Sequence, residues 1–179
     1  MIRFFGLSSR PAVTISQSSW RTGVDQESFR HACAHWATGV AIATVMSTDH
    51  SPHGLTVSSF TVVSLHPHLV LVSIDHRSTA YRHFALAHGY SIHVLGDDQE
   101  HLSARFARPG EDKFEGVAWT TGATGAPVIQ GALAEFDCEV VDRIHAGDHT
   151  IFIGEVKRAA SCDGRPLIYF NRAYRRVTG

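Results

Sequence analysis

The chain has 179 residues, of which 44% are apolar and 18% charged, a balance that excludes a wholly disordered polymer and fits one domain of ordinary size. Sixteen Lys and Arg stand against seventeen Asp and Glu, a formal net charge of -1, so the cationic surface of a dedicated nucleic-acid binder is not written here. No apolar run approaches the roughly 20 residues of a membrane span, and the expectation is a soluble cytoplasmic protein without a membrane or nucleic-acid partner.

Residues 1–24 carry Arg3, Arg10, Arg21 and several serines but no acid. That composition reads as a flexible N-terminal arm, or one packed on a neighbouring subunit, and it shares features with organelle transit peptides. The domain proper is expected over 25–179. Asp25 is placed to cap a helix whose Phe29, Ala32, Cys33 and Trp36 share one face, with Gly39 as its stop. Val40–Met46 reads as a strand, Ser47–Gly54 as a turn, and Leu55–Leu65 as a second strand running to a break at Pro67. Leu69–Asp75 is a third. Ser78 is the expected cap of a helix Thr79–His88 closed by Gly89. Ser91–Leu95 is a strand, and Asp97 or Asp98 caps a helix ending near Ala107, ahead of Pro109-Gly110.

In the second half, Phe136, Cys138 and Val140 alternate with Glu135, Asp137 and Glu139, the pattern of a strand with one wet face. Thr150–Ala159 pairs with it across His145–His149, and Pro166–Phe170 is a last short strand before a polar tail. Strands adjacent in sequence, with a few short helices, point to a mainly β protein built as an antiparallel closed barrel rather than a doubly wound sheet.

Cys33, Cys138 and Cys162 form no close pair, which argues against a disulfide framework. Cys33 and Cys138, among apolar neighbours, read as core side chains. Thirteen histidines raise the question of a metal. His31 and His35 are one helical turn apart and His66 and His68 flank Pro67, but no carboxylate or cysteine joins either pair at a usual zinc spacing. No metal site is expected.

A GxGxxG turn, a Walker loop and a GxSxG elbow are all missing, so any nucleotide must be held some other way. Thr56, Ser58 and Ser59 crowd hydroxyls into a stretch that then turns apolar. They suit the solvated face of an edge strand, or an edge that presents hydroxyls and N–H groups to a planar polar ring with Phe60 against it. Arg77-Ser78-Thr79 puts a cation and two hydroxyls at the predicted helix start, either an ordinary cap or a phosphate site. Phe106 and, beyond the Pro-Gly turn, Lys113-Phe114 could close over a phosphate or sugar chain; a surface lysine is the plainer reading. Gly147-Asp148-His149 reads as a tight hairpin that exposes an imidazole.

Taken in order, Thr38–Thr44, Gly54–Leu65, Leu69–Thr79, Asp112–Val117, Gly125–Val140, Ala146–Val156 and Pro166–Tyr174 resemble the flavin reductase family, the small reductase components of two-component flavin monooxygenases. The resemblance runs from about Gln26 to Tyr174, and its most specific pieces are TVSSF and GDHTIFIGEV. It implies an FMN-binding split barrel, a homodimer, and hydride transfer from NADH or NADPH to FMN or FAD, with reduced flavin passed to a separate oxygenase. It also implies site residues: Thr56, Val57, Ser58, Ser59 and Phe60 along the isoalloxazine, and Ser73, Arg77, Ser78 and Thr79 at the ribityl and phosphate groups. Phe106, Lys113 and Phe114 would flank that chain. His149 would be the catalytic histidine, facing the nicotinamide with Gly147, Asp148 and Tyr174. Two positions depart from the family pattern: His66-Pro67-His68 stands for Asp-Pro-Pro, and His93 occupies an asparagine-like slot. The same barrel could instead reduce ferric iron or a corrinoid through a bound flavin, or hold flavin without turnover as a sensor or carrier.

Overall fold

The computed structural model describes residues 23–110 and 112–177. The expectation of an N-terminal arm over 1–24 falls almost wholly outside them. Helix α1 (Gln26–Ala34) starts as expected, with the Asp25 carboxylate accepting from the Ser28 N–H at 2.9 Å. It ends at Ala34 rather than at Gly39, which lies in a short strand β1 (Thr38–Gly39). None of its residues is buried, and Phe29 and Trp36 are 61% and 76% exposed. Cys33 is likewise exposed, not a core side chain as its neighbours suggested, whereas Cys138 is buried.

Strand β2 (Ala41–Met46) is apolar except for buried Thr44 because it separates two cores. Ala41, Ala43 and Val45 face one cluster and Ile42, with Val40 just before the strand, faces the other, the alternation that a strand imposes. The expected strand Leu55–Leu65 is in fact two, β3 (Pro52–Val57) and β4 (Thr61–Leu65), and the turn before it is correspondingly shorter. After a two-residue turn with a cis His66–Pro67 peptide comes β5 (His68–Asp75). Helix α2 (Tyr81–Leu86) is shorter than predicted, with Ala80 at its N-cap; the Ser78 hydroxyl accepts from the Ala80 N–H in a turn ahead of it. Then follow β6 (Gly89–Val94) and α3 (Glu100–Ala107). Neither Asp97 nor Asp98 caps α3: Gln99 does so positionally, and its amide oxygen accepts from Gly96 N–H.

The remaining strands are β7 (Trp119–Thr121), β8 (Pro127–Ile129), β9 (Ala134–Ala146), β10 (His149–Ser161), β11 (Leu167–Phe170) and β12 (Ala173–Arg176). The last of these pairs with β11, so the tail read as polar forms a strand. β9 and β10 are joined by Gly147 and Asp148, with Gly147 at φ +63, a left-handed value that glycine tolerates without a Cβ penalty. On β9 the predicted wet face has one exception. Asp137 is buried, and its carboxylate accepts from Ser91 Oγ and from the backbone N–H and hydroxyl of Thr124.

Seven strands form one antiparallel sheet in the order β3-β2-β6-β9-β10-β5-β4. Its two edge strands, β3 and β4, are separated in sequence only by Ser58, Ser59 and Phe60. Seven strands lying flat would hold their edges about 29 Å apart, while the link from Val57 to Thr61 can span at most about 15 Å. The sheet must therefore curl until its edges approach at that end. The interior so formed holds Val45, Val72, Ile74, Phe84, Tyr90 and Phe152, each at most 1% exposed. Burial of side chains of this size contributes roughly 1.5–3 kcal/mol apiece. A second cluster, with Ile42, Leu95, Phe106, Ile129 and Leu167, lies outside the curl under α3 and the small sheets.

Candidate functional site

Two clefts open on either side of the seam. One, of about 470 Å³, is lined by the Ser58–Thr61 link, by Trp36 and by the chain from Thr38 to Ala41. The other, of about 500 Å³, lies between Thr56, the Asp75–Thr79 turn, the end of α3 and Lys113. Thr56, near the end of β3, lines the second cleft, and Ser58, two residues on, lines the first.

The link is held in place by its own second serine. Ser59 Oγ donates to Ser73 O at 2.8 Å and accepts from Ser73 N–H at 3.1 Å. Ser73 lies on β5 beyond the last pairing with β4, at Leu71, so the hydroxyl replaces a missing ladder partner. Phe60 packs on Phe136, ring centroids 5.2 Å apart. The N–H groups of Ser58, Ser59 and Phe60 make no backbone hydrogen bond among the described residues. A half-exposed cleft with three successive free donors suits a flat ligand edged with carbonyl and imine acceptors, and Thr56, Val57 and Ser58 lead directly into it. Val57 itself is buried in the interior.

Thr56 Oγ1 donates to Ser103 O at 2.6 Å, fastening β3 to α3. Gly54 permits this approach, because a Cβ there would lie 2.9 Å from the Phe106 ring. Lys113 Nζ donates to Gly54 O at 3.1 Å and Phe106 O at 3.0 Å, so it holds the C-terminal end of α3 and keeps one donor for the cleft. Its desolvation pushes the ammonium pKa below the usual lysine value. Phe106 is fully buried and meets Phe114 edge-to-face at 5.0 Å. Phe106 lines the cleft, and Phe114 packs behind it in the core.

Arg77 is 80% exposed and forks onto Asp75, with Nη2 2.7 Å from Oδ2 and Nε within 3.2 Å of both oxygens. The guanidinium holds the Asp75 carboxyl well below the ordinary carboxylate range. Ser78 and exposed Thr79 complete the turn. His149 is the register partner of Asp75 across β10 and β5, one strand spacing away. Its Nδ1 lies 2.7 Å from Asp148 Oδ1, and this bond lowers the Asp148 pKa. The structure thus gathers Asp75, Arg77, Asp148 and His149 at one end of the sheet. It does not bring Tyr174 there: the Tyr174 hydroxyl is 2.9 Å from Ser103 Oγ, and its ring lies edge-on to Tyr169.

Several residues of these clefts went unread in the sequence. Asp75 carried a signal, an acid two residues before Arg77 at a strand end. Trp36 read as part of a packed helix face and is instead an exposed wall of the first cleft. Ser103, which joins Thr56 to Tyr174, carried none.

A profile of the flavin reductase like domain matches residues 33–178. Over 156 residues the chain is 45% identical to FMN reductase (NADH) SmoA of Agrobacterium fabrum, covering 87% of this chain and 88% of that protein. It is 39% identical over 145 residues to the reductase component of the flavin-dependent trigonelline monooxygenase of Acinetobacter baylyi, covering 81% of this chain and, at 47%, about half of the relative. Among solved structures, the NADH:FAD oxidoreductase of Streptomyces globisporus, in complex with NAD and FAD fragments, superposes with a TM-score of 0.81 at 33% identity, over 86% of this chain and 93% of that one.

Proposed function

Because the chain belongs to the flavin reductase family, we propose that it is an NADH:flavin oxidoreductase that supplies reduced flavin to a separate oxygenase. The observation that carries the reading is the Ser58–Phe60 link on the wall of the first cleft, with N–H groups that make no backbone hydrogen bond among the described residues. NADH is favoured over NADPH by the names of the relatives, and an oxygenase partner by the trigonelline system.

Flavin, when bound, supplies the hydride acceptor opposite the nicotinamide. The chain binds and orients. The Ser58–Phe60 donors face the pyrimidine edge of the ring and favour the charge that gathers there on reduction. Ser73 acts through Ser59 to keep that edge in place. Arg77, Ser78, Thr79 and the third donor of Lys113 hold the phosphate, and Phe106 walls the chain that leads to it. Phe114 supports that wall from behind. His149, aligned by Asp148 and the Gly147 turn, offers Nε2 to the nicotinamide carboxamide. Tyr174 steadies the flavin side through Ser103.

The curled sheet supports a split barrel spanning residues 25–179. β4 supports a homodimer, since it leaves Val62, Val63 and Leu65 56%, 47% and 69% exposed along a sheet edge. Cysteines left unpaired suit the cytoplasm. No helix among the described residues is long and apolar enough to cross a membrane.

The test is NADH consumption by the purified chain. We expect absorbance at the nicotinamide band to fall only when FMN or FAD is added, and His149→Ala to raise the KM for NADH. A chain that oxidises no NADH with either flavin and retains neither on gel filtration overturns the reading.

A further inference from the structure

His149 is bracketed by one residue of the neighbouring strand. β5 ends at Asp75, opposite His149 in the register, and His76 is the next residue. Its backbone N–H donates to Asp148 O at 3.0 Å, and its ring Nε2 lies 2.9 Å from Thr150 Oγ1. Main chain and side chain of His76 thus hold the residues on either side of His149, one in the hairpin turn and the other inside β10.

Thr150 is buried, and its hydroxyl meets groups from three other segments. Besides His76 Nε2, these are the Tyr81 hydroxyl of α2 at 3.2 Å and His145 Nδ1 of β9 at 3.1 Å. A hydroxyl has one proton and two lone pairs, so three partners saturate it. Buried and fully engaged, it has no other arrangement to turn to, and the backbone beside it is fixed with it. The His76 ring lies 4.7 Å from that of Tyr81 and 5.9 Å from that of His145, between centroids. Successive residues of a strand point to opposite faces, so this network lies behind the His149 side chain. His149 is bonded through Nδ1 to Asp148, whose own side chain is exposed on the turn. The backbone from Asp148 to Thr150 therefore aims the imidazole, and His76 holds both ends of it.

We propose that His76 is a positioning residue for the nicotinamide: through the Thr150 hydroxyl and the Asp148 carbonyl it fixes the His149 backbone so that Nε2 stays on the carboxamide. The proposal rests on the reading of His149 above. The Arg77 turn begins at the same place, but Arg77 and Ser78 are bonded to Asp75 and not to the His76 ring. The hold on the flavin phosphate is therefore independent of that ring.

Steady-state kinetics with NADH and FMN on the full chain, paired with FMN titration by fluorescence, test it. His76→Ala is expected to raise the KM for NADH about 3- to 10-fold, the range of one hydrogen bond. Its kcat and its FMN dissociation constant stay within about twofold of the unsubstituted chain. His76→Gln, whose amide reaches the same hydroxyl, restores the KM. Thr150→Val raises it as His76→Ala does, and Thr150→Ser leaves it unchanged. Because both harmful changes cut one bond, the double variant is no worse than the worse single one. His76 is exposed, so its alanine variant should fold, and unchanged FMN binding reports that it has. The assignment is overturned by a KM unmoved in His76→Ala, by a glutamine that restores nothing, or by additive effects in the double variant. An FMN dissociation constant that rises along with the KM, the mark of a general loosening, also overturns it. Loss of the nicotinamide reading looks different: there His149→Ala itself leaves the KM for NADH unchanged.

Discussion

His93 is fully buried between two strands, with Nε2 accepting from Ile129 N–H at 3.0 Å. That bond leaves the proton on Nδ1, which donates to Ile42 O at 3.1 Å. Burial pushes its pKa down to about 4 from 6.5. The unfolded chain therefore takes up a proton that the folded one refuses, and the His93 contribution is whole above pH 6.5 and lost as pH falls toward 4, roughly 3 kcal/mol across the window. His93→Asn offers one amide donor and one acceptor to the same two backbone groups. We expect the variant to fold and to show a flatter loss of stability between pH 6.5 and 4, read by urea denaturation at stepped pH against the unsubstituted chain. The sequence marked this histidine as out of pattern, but its partners are 51 and 36 residues away, and no local period could name them. Cys33 failed for the mirror reason: apolar neighbours on a helix specify a face, not what covers it.

At the scale of elements, the longer strands were legible, but their continuity and the short strands β1, β7, β8 and β12 were not. Leu55–Leu65 reads as unbroken because Ser58 and Ser59 fit a strand as readily as a link, and only the pairing of β3 with β2 and β4 with β5 separates them. The hydroxyl-rich segment was thus identified while its geometry, a corner rather than an edge, was hidden. Helix α2 lost its predicted first turn because Ser78 closes a turn on Asp75, its N–H donating to Asp75 O at 3.0 Å. Gly54 tests how β3 meets α3. A Cβ there falls 2.9 Å from Phe106 and 3.0 Å from Ala43 O, and the ring is already backed by Phe114. Gly54→Ala should destabilise the fold by about 1–3 kcal/mol and weaken flavin binding, because the end of α3 forms the cleft wall. Thermal melting and flavin titration on one sample read both effects.

For the whole molecule, sequence-adjacent strands correctly announced antiparallel pairing throughout, yet the sheet order places β9 and β10, late in the chain, between early strands. Such long-range order depends on which faces bury which, as with Ile92 toward one core and His93 toward the other. The exposed β4 edge is the counterpart problem, an apolar rim left uncovered among the described residues. For the homodimer proposed above, Val63→Lys with Leu65→Lys should yield a monomer in sedimentation. Each protomer's melting should move little, since surface changes stay within about 0.5 kcal/mol.

The Ser58–Phe60 link makes the sheet's two rims depend on whatever rests against it. A bound molecule there damps the fraying of both rims at once, as ligand restricted to the native state must. Amide exchange along β3 and β4 should slow on adding flavin. The β9–β10 hairpin, zipped over twelve residue pairs, should keep its protection whether or not flavin is present.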